Sequence, residues 1–426
     1  MQKETRPGGR FLFVFTVVLI IFCQSQQMLA NGGISLFLPL IRRDIGLNFA
    51  QGGTLAAAST LIYALMQIPS GYLADRFGAR LLFTVGLIGT SLLSLSFALL
   101  HVYWLLVLNQ GISGFFRALM FAPGLLLISD LFPADRRAMA MGLYIAGGAS
   151  SNVLLNLLGP WLIAPLGWQT LFILLSITGL LLIFTYWRYG LQGSQRSAKK
   201  ALPLRRVFAL FRYREMWLIG AIQYVRLAVA NGLQFWIPTF IVVEKGYSLQ
   251  VSGLVVALGA VVTAPANFFG GYLSDRLRNP LLVVGMSLAM LATTTFLLVY
   301  ADNLFFLLAV IIVNGIFVQL YFGPLFNVPL QLFGAEAAGL MNGFGNFFAN
   351  LGGFTFAYTL GALKDATGSF NVGLYALAGF CLFALTCTFV LSRMKPRTEG
   401  IFVAAGVEPQ FTAPSPEALA LRKEEE

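Results

Sequence analysis

Two arginines stand near the middle of long apolar stretches that carry little other charge, Arg117 in one and Arg226 in another. If these stretches are membrane helices, an ionisable side chain at such depth is costly to bury and by default indicates a functional site. A guanidinium group binds carboxylate or phosphate oxygens in a bidentate manner. The two residues therefore predict a site for an anion.

The acidic residues of the chain offer these arginines no partner. All 17 lie in loops, in the tail or within one turn of the end of an apolar stretch, with Asp130 closest to an interior position. A purely structural arginine in a membrane would need an acidic neighbour. We therefore predict that the missing counter-charge is the substrate, held between Arg117 and Arg226, and that its binding draws the two helices together.

Uncharged polar residues repeat near the arginines at helical spacing, so that each set shares one face of a helix. Gln110 and Ser113 share such a face with Arg117, as Gln223 and Gln234 do with Arg226. The predicted substrate-binding set is Arg117, Arg226, Gln27, Asn31, Gln110, Gln223, Gln234 and Tyr321. The alternative is that the uncharged members only join helices through hydrogen bonds.

The composition predicts the elements that carry these residues. Of the 426 residues, 58% are hydrophobic and 11% charged, which is too apolar for a soluble globular domain. Twelve stretches are each long enough to cross a hydrocarbon core as a helix. They cover residues 11–40, 52–70, 81–100, 104–129, 138–164, 169–188, 215–241, 249–270, 281–300, 304–331, 339–363 and 372–392. We predict an all-α membrane protein of twelve transmembrane helices.

The charge pattern predicts the orientation of these helices, because cytoplasmic loops retain Lys and Arg. With the N-terminus inside, most cations fall on the inner side, including those from Arg188 to Arg214, and both termini are cytoplasmic. The net charge of +11 then reflects topology and contact with the lipid bilayer, and nucleic acid is not an expected partner. Compact loops favour the inner membrane of a prokaryotic cell.

Several segments of the chain occur twice. GYLADRFGAR at 71–80 returns as GYLSDRLRNP at 271–280, and LFPAD at 131–135 returns as LFGAE at 332–336. Such an internal duplication is typical of secondary transporters, whose two bundles rock about a central site. It predicts two pseudo-symmetric six-helix bundles at 1–190 and 215–393, a cytoplasmic linker at 191–214 and a cytoplasmic tail at 394–426.

The first repeated segment resembles a loop signature of the major facilitator superfamily, in which Gly, Leu, Asp, Arg, Gly and a basic residue follow at fixed spacing. The likeness covers about residues 10 to 395 and implies alternating access, with this loop holding the two halves together in one state. Glycines there permit close helix approach and a tight turn. The implied gating residues are Gly71, Asp75, Arg76, Gly78 and Arg80, with Asp275 and Arg276 in the second copy, where Arg278 replaces the second glycine.

Within that superfamily the chain is similar to the anion:cation symporters, the group of the vesicular glutamate and sialic acid carriers. The likeness rests on Arg226 twelve residues before Pro238, and on GFFRA and LFPADRRA in and after the fourth stretch. That group's usual arginine corresponds here to Gln110, whereas Arg117 stands where an acidic residue is common. The resemblance implies an anionic substrate and leaves the coupling ion open.

Together these patterns predict a monomeric secondary transporter for a small organic anion, with a coupling ion or an exchanged anion as its other partner. Exchange or export is favoured over proton symport, because no membrane carboxylate is present to carry a proton and the membrane potential opposes anion entry. An exporter of drugs or amphipathic metabolites is the alternative, and a non-transporting membrane sensor is a more distant one. The chain lacks a nucleotide-binding glycine loop, a His or Cys metal cluster and an acid/base pair at depth, so neither an enzyme nor a cofactor is expected.

Overall fold

The structure, a computed structural model, describes residues 7–133, 136–190, 214–333 and 335–394. Within these ranges the side chains of residues 7–10, 68, 75, 138 and 330–343 are not described. The predicted linker at 191–214 and the predicted tail at 394–426 therefore fall almost wholly outside the described residues.

The described ranges fold into fourteen α-helices. They are α1 Pro7–Ile45, α2 Phe49–Phe77, α3 Ala79–Leu99, α4 Tyr103–Leu131, α5 Arg137–Tyr189, α6 Arg214–Leu227, α7 Gln234–Thr239, α8 Leu249–Val261, α9 Thr263–Leu277, α10 Pro280–Leu297, α11 Leu304–Leu320, α12 Phe322–Phe333, α13 Ala335–Thr367 and α14 Asn371–Ser392. Two π-helical turns, Ala228–Leu233 and Phe240–Glu244, flank α7. Asparagine side chains cap several of these helices, as Asn48 does at α2 by accepting the N–H of Gln51 at 2.7 Å.

Twelve membrane crossings follow from these helices. Ten segments of the described chain are long and apolar enough to span a membrane, and one of them, Met139–Tyr189, has 51 residues. That segment crosses twice, because Gly167 adopts φ 74° and ψ 161° and divides α5 into two arms, 137–166 and 168–189. Together with α13, which packs along α2 and α6, these segments confirm the predicted twelve-helix architecture.

Each half of the chain builds its own apolar core. One cluster of buried side chains draws almost wholly on α6 to α14 and includes Trp236, Leu288 and Leu377. Two others lie among α1 to α5, around Phe172 and around Phe83. The halves meet where α2 packs on α13, the first arm of α5 on α8, and α1 on α7. The interior polar residues of α1, α4 and α6 are positioned by these two cores.

The two ends of the bundle are distinguished by the segments that they hold. We call the end that holds residues 71–80 and 271–280 the motif end, and the end that holds residues 46–48 and 368–370 the far end. At the far end, the carboxylate of Asp365 accepts the backbone N–H of Phe49 at 2.9 Å and that of Ala50 at 2.6 Å. A carboxylate at the first turn of α2 also compensates the helix dipole. The far end is therefore held closed by a contact between α13 and α2.

Two further contacts join the halves on the far-end side of the bundle. The hydroxyl of Ser35 on α1 donates to the carbonyl oxygen of Phe235 on α7 at 2.7 Å. Gly53 allows α2 to approach α13 closely, because a Cβ at this position would overlap the carbonyl oxygen of Ala357. These contacts extend the closure of the far end toward the middle of the bundle.

Candidate substrate-binding site

A pocket opens within the N-terminal half, between α1, α3, α4 and the second arm of α5. Its empty space, including the open solvent at its mouth, is about 320 Å³. Phe97 and Phe172 contribute to its apolar wall. Its polar lining is Gln27, Asn31, Thr90, Ser94, Gln110, Ser113 and Arg117. The pocket thus brings together four of the predicted substrate-binding residues.

Arg117 lies near the middle of α4 and reaches both the pocket and α2. Its Nη1 donates to the hydroxyl of Ser59 at 2.9 Å, and its guanidinium carbon lies 5.3 Å from the ring centroid of Tyr63. Its buried Nε has no partner. None of the ion pairs found among the described residues includes Arg117, so the guanidinium retains hydrogen-bonding capacity toward the pocket.

Two other buried polar atoms of the pocket have no partner in the described part of the chain. They are the amide oxygen of Gln27, whose side chain is almost fully buried, and the hydroxyl of Ser94. By contrast, the hydroxyl of Thr90 donates to the carbonyl oxygen of Gly86 on its own helix at 2.9 Å. Buried polar groups are normally hydrogen-bonded, so the first two atoms indicate where a ligand or water is expected.

The second arginine forms a separate cluster in the C-terminal half. Arg226 is 4% exposed, and its Nε donates to the amide oxygen of Gln223 at 2.7 Å. Its guanidinium carbon lies 5.0 Å and 5.4 Å from the ring centroids of Phe322 and Phe326. Tyr321 is fully buried close by, and its hydroxyl has no hydrogen-bond partner among the described residues. Three predicted residues, Gln223, Arg226 and Tyr321, are therefore neighbours.

Gln234 does not share the environment of this cluster. The π-helical turn Ala228–Leu233 lies between Arg226 and Gln234, and a π-helix takes more residues per turn than an α-helix. Gln234 is exposed, whereas Gln223 and Arg226 are buried. The expectation that all three share one helix face is therefore corrected, because it assumes an uninterrupted α-helix. Turns of this kind occur frequently at functional sites.

Each half thus contributes one arginine cluster, and the two clusters are distinct in this state. The pocket of the N-terminal half is lined by Arg117 and not by Arg226. No acidic side chain pairs with Arg226 in the described ion pairs. The arrangement can present one positively charged surface from each half to a molecule that lies between them.

The predicted gating segment 71–80 contains the end of α2 and the start of α3. Gly78 ends α2 at φ 89° and ψ 137°, a conformation that favours glycine. Arg80 Nη2 donates to the carbonyl oxygen of Trp187 at 2.6 Å, and the guanidinium carbon of Arg76 lies 5.4 Å from the ring centroid of Phe77. The side chain of Asp75 falls outside the described residues. A Cβ at Gly71 would meet no atom within 4 Å, so the expected close helix approach is absent there.

The second copy of this segment makes its turn differently. Arg278 ends α9 in the left-handed conformation, at φ 49° and ψ 26°. Arg276 Nη1 donates to the hydroxyl of Tyr272, on its own helix, at 3.4 Å, and Asp275 is exposed. Glycine adopts this left-handed conformation at lower cost than arginine does. The replacement of the signature glycine by Arg278 therefore changes the geometry of the turn, but the turn is still formed.

Several residues around the site are not among those expected from the sequence. Ser59 and Tyr63 on α2 contact Arg117, and Ser94 on α3 lines the pocket. Ser59 and Tyr63 are four residues apart in an apolar stretch, a spacing that places them on one helix face. This spacing is the sequence pattern that could have indicated Ser59 and Tyr63 as site residues. No sequence pattern indicated that Asp365 joins the two halves, because carboxylates are common near helix ends.

Two bundles of membrane helices from a chain with repeated segments are typical of secondary transporters, and comparison with known proteins agrees. The family model described as Major Facilitator Superfamily matches residues 20–357 and also 252–413. The chain belongs to the Major Facilitator Superfamily. The prediction of this family from the repeated loop is confirmed.

The chain is similar to several bacterial transporters. It is 25% identical to the nitrite extrusion protein of Bacillus subtilis over 86% of this chain and 92% of that protein. It is 24% identical to a probable galactarate/D-glucarate transporter of the same organism, over 90% and 95%. It is 28% identical to a probable sulfoacetate transporter of Cupriavidus necator, over 80% and 84%. These names describe transporters and not enzymes, as the sequence predicts.

Solved structures show the same fold. A bacterial homologue of the human lysosomal transporter Spinster, in an inward-facing and occupied conformation, aligns with a TM-score of 0.76 at 17% sequence identity. The alignment covers 90% of this chain and 97% of that chain. An inward-facing and unoccupied conformation of a Spinster homologue aligns with the same TM-score at 18% identity. At this identity the likeness bears on the fold alone.

Proposed function

We propose that this protein carries a small organic anion across a membrane by alternating access, with the anion bound between Arg117 and Arg226. The observation that supports the proposal is one guanidinium group inside each half, buried at Arg226 and half-buried at Arg117, without a carboxylate partner among the described residues. Burying an unpaired charge costs several kcal/mol in proteins. An anionic substrate offsets that cost at both positions.

The substrates named for the relatives agree with an anion. Nitrite, galactarate, D-glucarate and sulfoacetate appear in those names, and all are negatively charged at neutral pH. These named substrates favour a small metabolite over the bulky substrates of a drug exporter.

The transport cycle follows from the position of the two clusters. With the far end closed by Asp365, the substrate enters or leaves at the motif end, which the charge pattern places in the cytoplasm. An anion bound to both halves draws them together at the motif end and favours opening of the far end. We propose a monomer in the inner membrane, with both termini cytoplasmic, that works by exchange or export.

Ligand-induced thermal stabilisation of the purified protein tests this proposal. The panel contains carboxylates, phosphate and sulfate esters, inorganic anions, neutral sugars and organic cations. A ligand at about 100 times its dissociation constant adds roughly 2.7 kcal/mol to the free energy of unfolding. We expect stabilisation by anions alone, and loss of that effect in Arg117→Gln and in Arg226→Gln.

Arg43→Gln is the matched control, since Arg43 is an exposed cation in the last turn of α1. This variant should keep the anion response of the wild type. Equal stabilisation of all four proteins by neutral or cationic compounds would show that the arginines belong to the scaffold. Counterflow of the best anion in proteoliposomes then establishes transport.

A further inference from the structure

Among the described residues, a single hydrogen bond connects a side chain of one half with a side chain of the other. The amide nitrogen of Asn346 on α13 donates to the amide oxygen of Gln67 on α2 at 2.9 Å. Both side chains are partly buried, and a hydrogen bond shielded from water is electrostatically stronger than one in bulk solvent. This bond therefore fixes the position of α2 relative to α13.

The bond lies where the packing between these two helices becomes looser. One turn beyond Gln67, a Cβ at Gly71 would meet no atom within 4 Å, and Tyr72 is 57% exposed. Gln67 itself is about 15 Å from the motif-end terminus of α2. The antiparallel helices approach each other at Phe49 with Gly361, at Gly53 with Ala357 and at Gln67 with Asn346. Of these three contacts, the last is nearest the motif end.

The same bond is connected to Arg117 along one side of α2. Ser59, Tyr63 and Gln67 follow one another at intervals of one helical turn. Arg117 donates to Ser59, and its guanidinium carbon lies 5.3 Å from the ring centroid of Tyr63. The side chain of Gln67 in turn interacts with the hydroxyl of Tyr63. Tyr63 and Gln67 thus connect the arginine of the N-terminal pocket with Asn346 of the other half.

We infer that Gln67 and Asn346 are positioning residues that transmit anion binding at Arg117 to the C-terminal half. The inference rests on the proposed anion transport and adds the route by which a bound anion moves the halves. An anion is a stronger partner for a guanidinium group than a hydroxyl or a ring, so it draws Arg117 away from Ser59 and Tyr63. Any shift of Tyr63 realigns the amide of Gln67, and hydrogen bonds weaken steeply when they are misaligned.

The change that an anion causes at the motif end measures this transmission. Spin labels on Tyr189→Cys and Arg393→Cys, exposed at the motif end on different halves, report the ratio of closed to open molecules. The probes are nitrite, D-glucarate and sulfoacetate at saturation, and any other anion that stabilises the wild type in the thermal screen. We expect a saturating anion to raise this ratio in the wild type.

Gln67→Met and Asn346→Leu approximate the shape of each side chain and remove the bond. We expect each variant to keep its thermal stabilisation by the anion. The anion-dependent change in the ratio should be smaller by about 2-fold to 12-fold, the range of a typical hydrogen bond. Since the two residues act as a pair, the double variant should lose no more than either single variant.

Asn350→Leu is the matched control. Asn350 lies one turn from Asn346, and its amide nitrogen donates to the carbonyl oxygen of Asn346 within α13 at 2.8 Å. The same substitution at this position leaves the bond to Gln67 in place, so the response to the anion should equal that of the wild type.

An exchange of the two side chains provides a rescue. Gln67→Asn and Asn346→Gln each change the combined length of the pair, and each alone should reduce the response. Together they keep both amides and the original combined length, so the response should return. The exchange introduces no apolar residue, and it tests the inference even where Gln67→Met or Asn346→Leu folds poorly.

The outcomes separate this inference from the proposed function. An unchanged response in both single variants, or losses that add in full in the double variant, would overturn the inference and leave anion transport standing. Loss of anion binding in these variants would place the two residues in the binding site and also overturn it. Absence of stabilisation of the wild type by every anion would overturn the proposed function and the inference together.

Discussion

At the scale of single residues, Arg226 is buried against aromatic rings in place of an acid. Phe322 and Phe326 lie within cation–π distance of its guanidinium group, and such contacts contribute about 0.5–2 kcal/mol. That is less than the several kcal/mol that burial of a charge costs. Lys364 is the contrasting case, because its ammonium pairs with the carboxylate of Glu244 and with the carbonyl oxygen of Gly368.

This contrast predicts opposite effects of removing the two charges. Arg226→Met should leave the thermal stability of the ligand-free protein unchanged or raise it by a few degrees, because an uncompensated buried charge is lost. Lys364→Met should lower the stability, because Glu244 loses its partner. The measurement is the midpoint of thermal unfolding in the absence of anions. A drop in Arg226→Met as large as that in Lys364→Met would show that Arg226 has a stabilising partner.

At the scale of elements, the contact between α13 and α2 controls the far end. The carboxylate of Asp365 receives two backbone N–H groups from the first turn of α2. Charge-assisted hydrogen bonds of this kind are about twice as strong as neutral ones, and a carboxylate at an exposed helix N-terminus adds about 0.3–1 kcal/mol. One side chain thus biases the relative position of two helices from different halves.

We expect Asp365→Ala to increase the population that is open at the far end. A loss of about 1–2 kcal/mol corresponds to roughly 5-fold to 30-fold in the ratio of open to closed. Spin labels on His101→Cys and Val372→Cys, which are exposed at the far end on different halves, report this ratio as a distance distribution. The three native cysteines are buried and should label poorly.

Asp302→Ala is the control for that distance measurement. Asp302 lies at the same end but pairs with Lys245 at 2.7 Å within the C-terminal half. Its loss should therefore leave the distance distribution unchanged. If the distance distribution is also unchanged in Asp365→Ala, the contact between α13 and α2 does not control the far end.

The elements themselves were largely predictable from the sequence, and the site was predictable in part. The length and the apolar content of a stretch are local properties of the sequence. The twelve crossings could therefore be predicted from the stretches themselves, including those that contain Arg117 and Arg226. Helical spacing also predicted the shared pocket of Gln110 and Arg117. The contact of Arg117 with Ser59 depends on how α2 packs against α4, which no local pattern contains. The π-helical turn before Gln234 depends in the same way on packing within the C-terminal half.

At the scale of the whole molecule, the two halves are unequal in their polar residues. The described pocket lies in the N-terminal half, whereas the buried cluster of the C-terminal half consists of Arg226 with Gln223 and Tyr321. The turn at Gly78 and its counterpart at Arg278 adopt different backbone conformations. The repeated segments thus stand at corresponding turns of the two halves, while the polar residues around the two arginines differ.

The orientation of the whole bundle is testable with thiol reagents. A membrane-impermeant maleimide applied to intact cells should label His101→Cys and Val372→Cys at the far end. It should not label Tyr189→Cys, an exposed position at the motif end, until the membrane is permeabilised. We expect this result because the sequence places most Lys and Arg in segments that adjoin the motif end, and cytoplasmic loops retain such residues. Labelling of Tyr189→Cys alone in intact cells would reverse the orientation.

The contact that closes the far end has a consequence for how such transporters diverge. Asp365 meets backbone amides of Phe49 and Ala50 and none of their side-chain atoms. Any residue with an N–H can supply these two donors, so a change at either position requires no matching change at position 365. Correlated substitutions between homologues would therefore reveal pairs such as Lys364 with Glu244 and miss this contact.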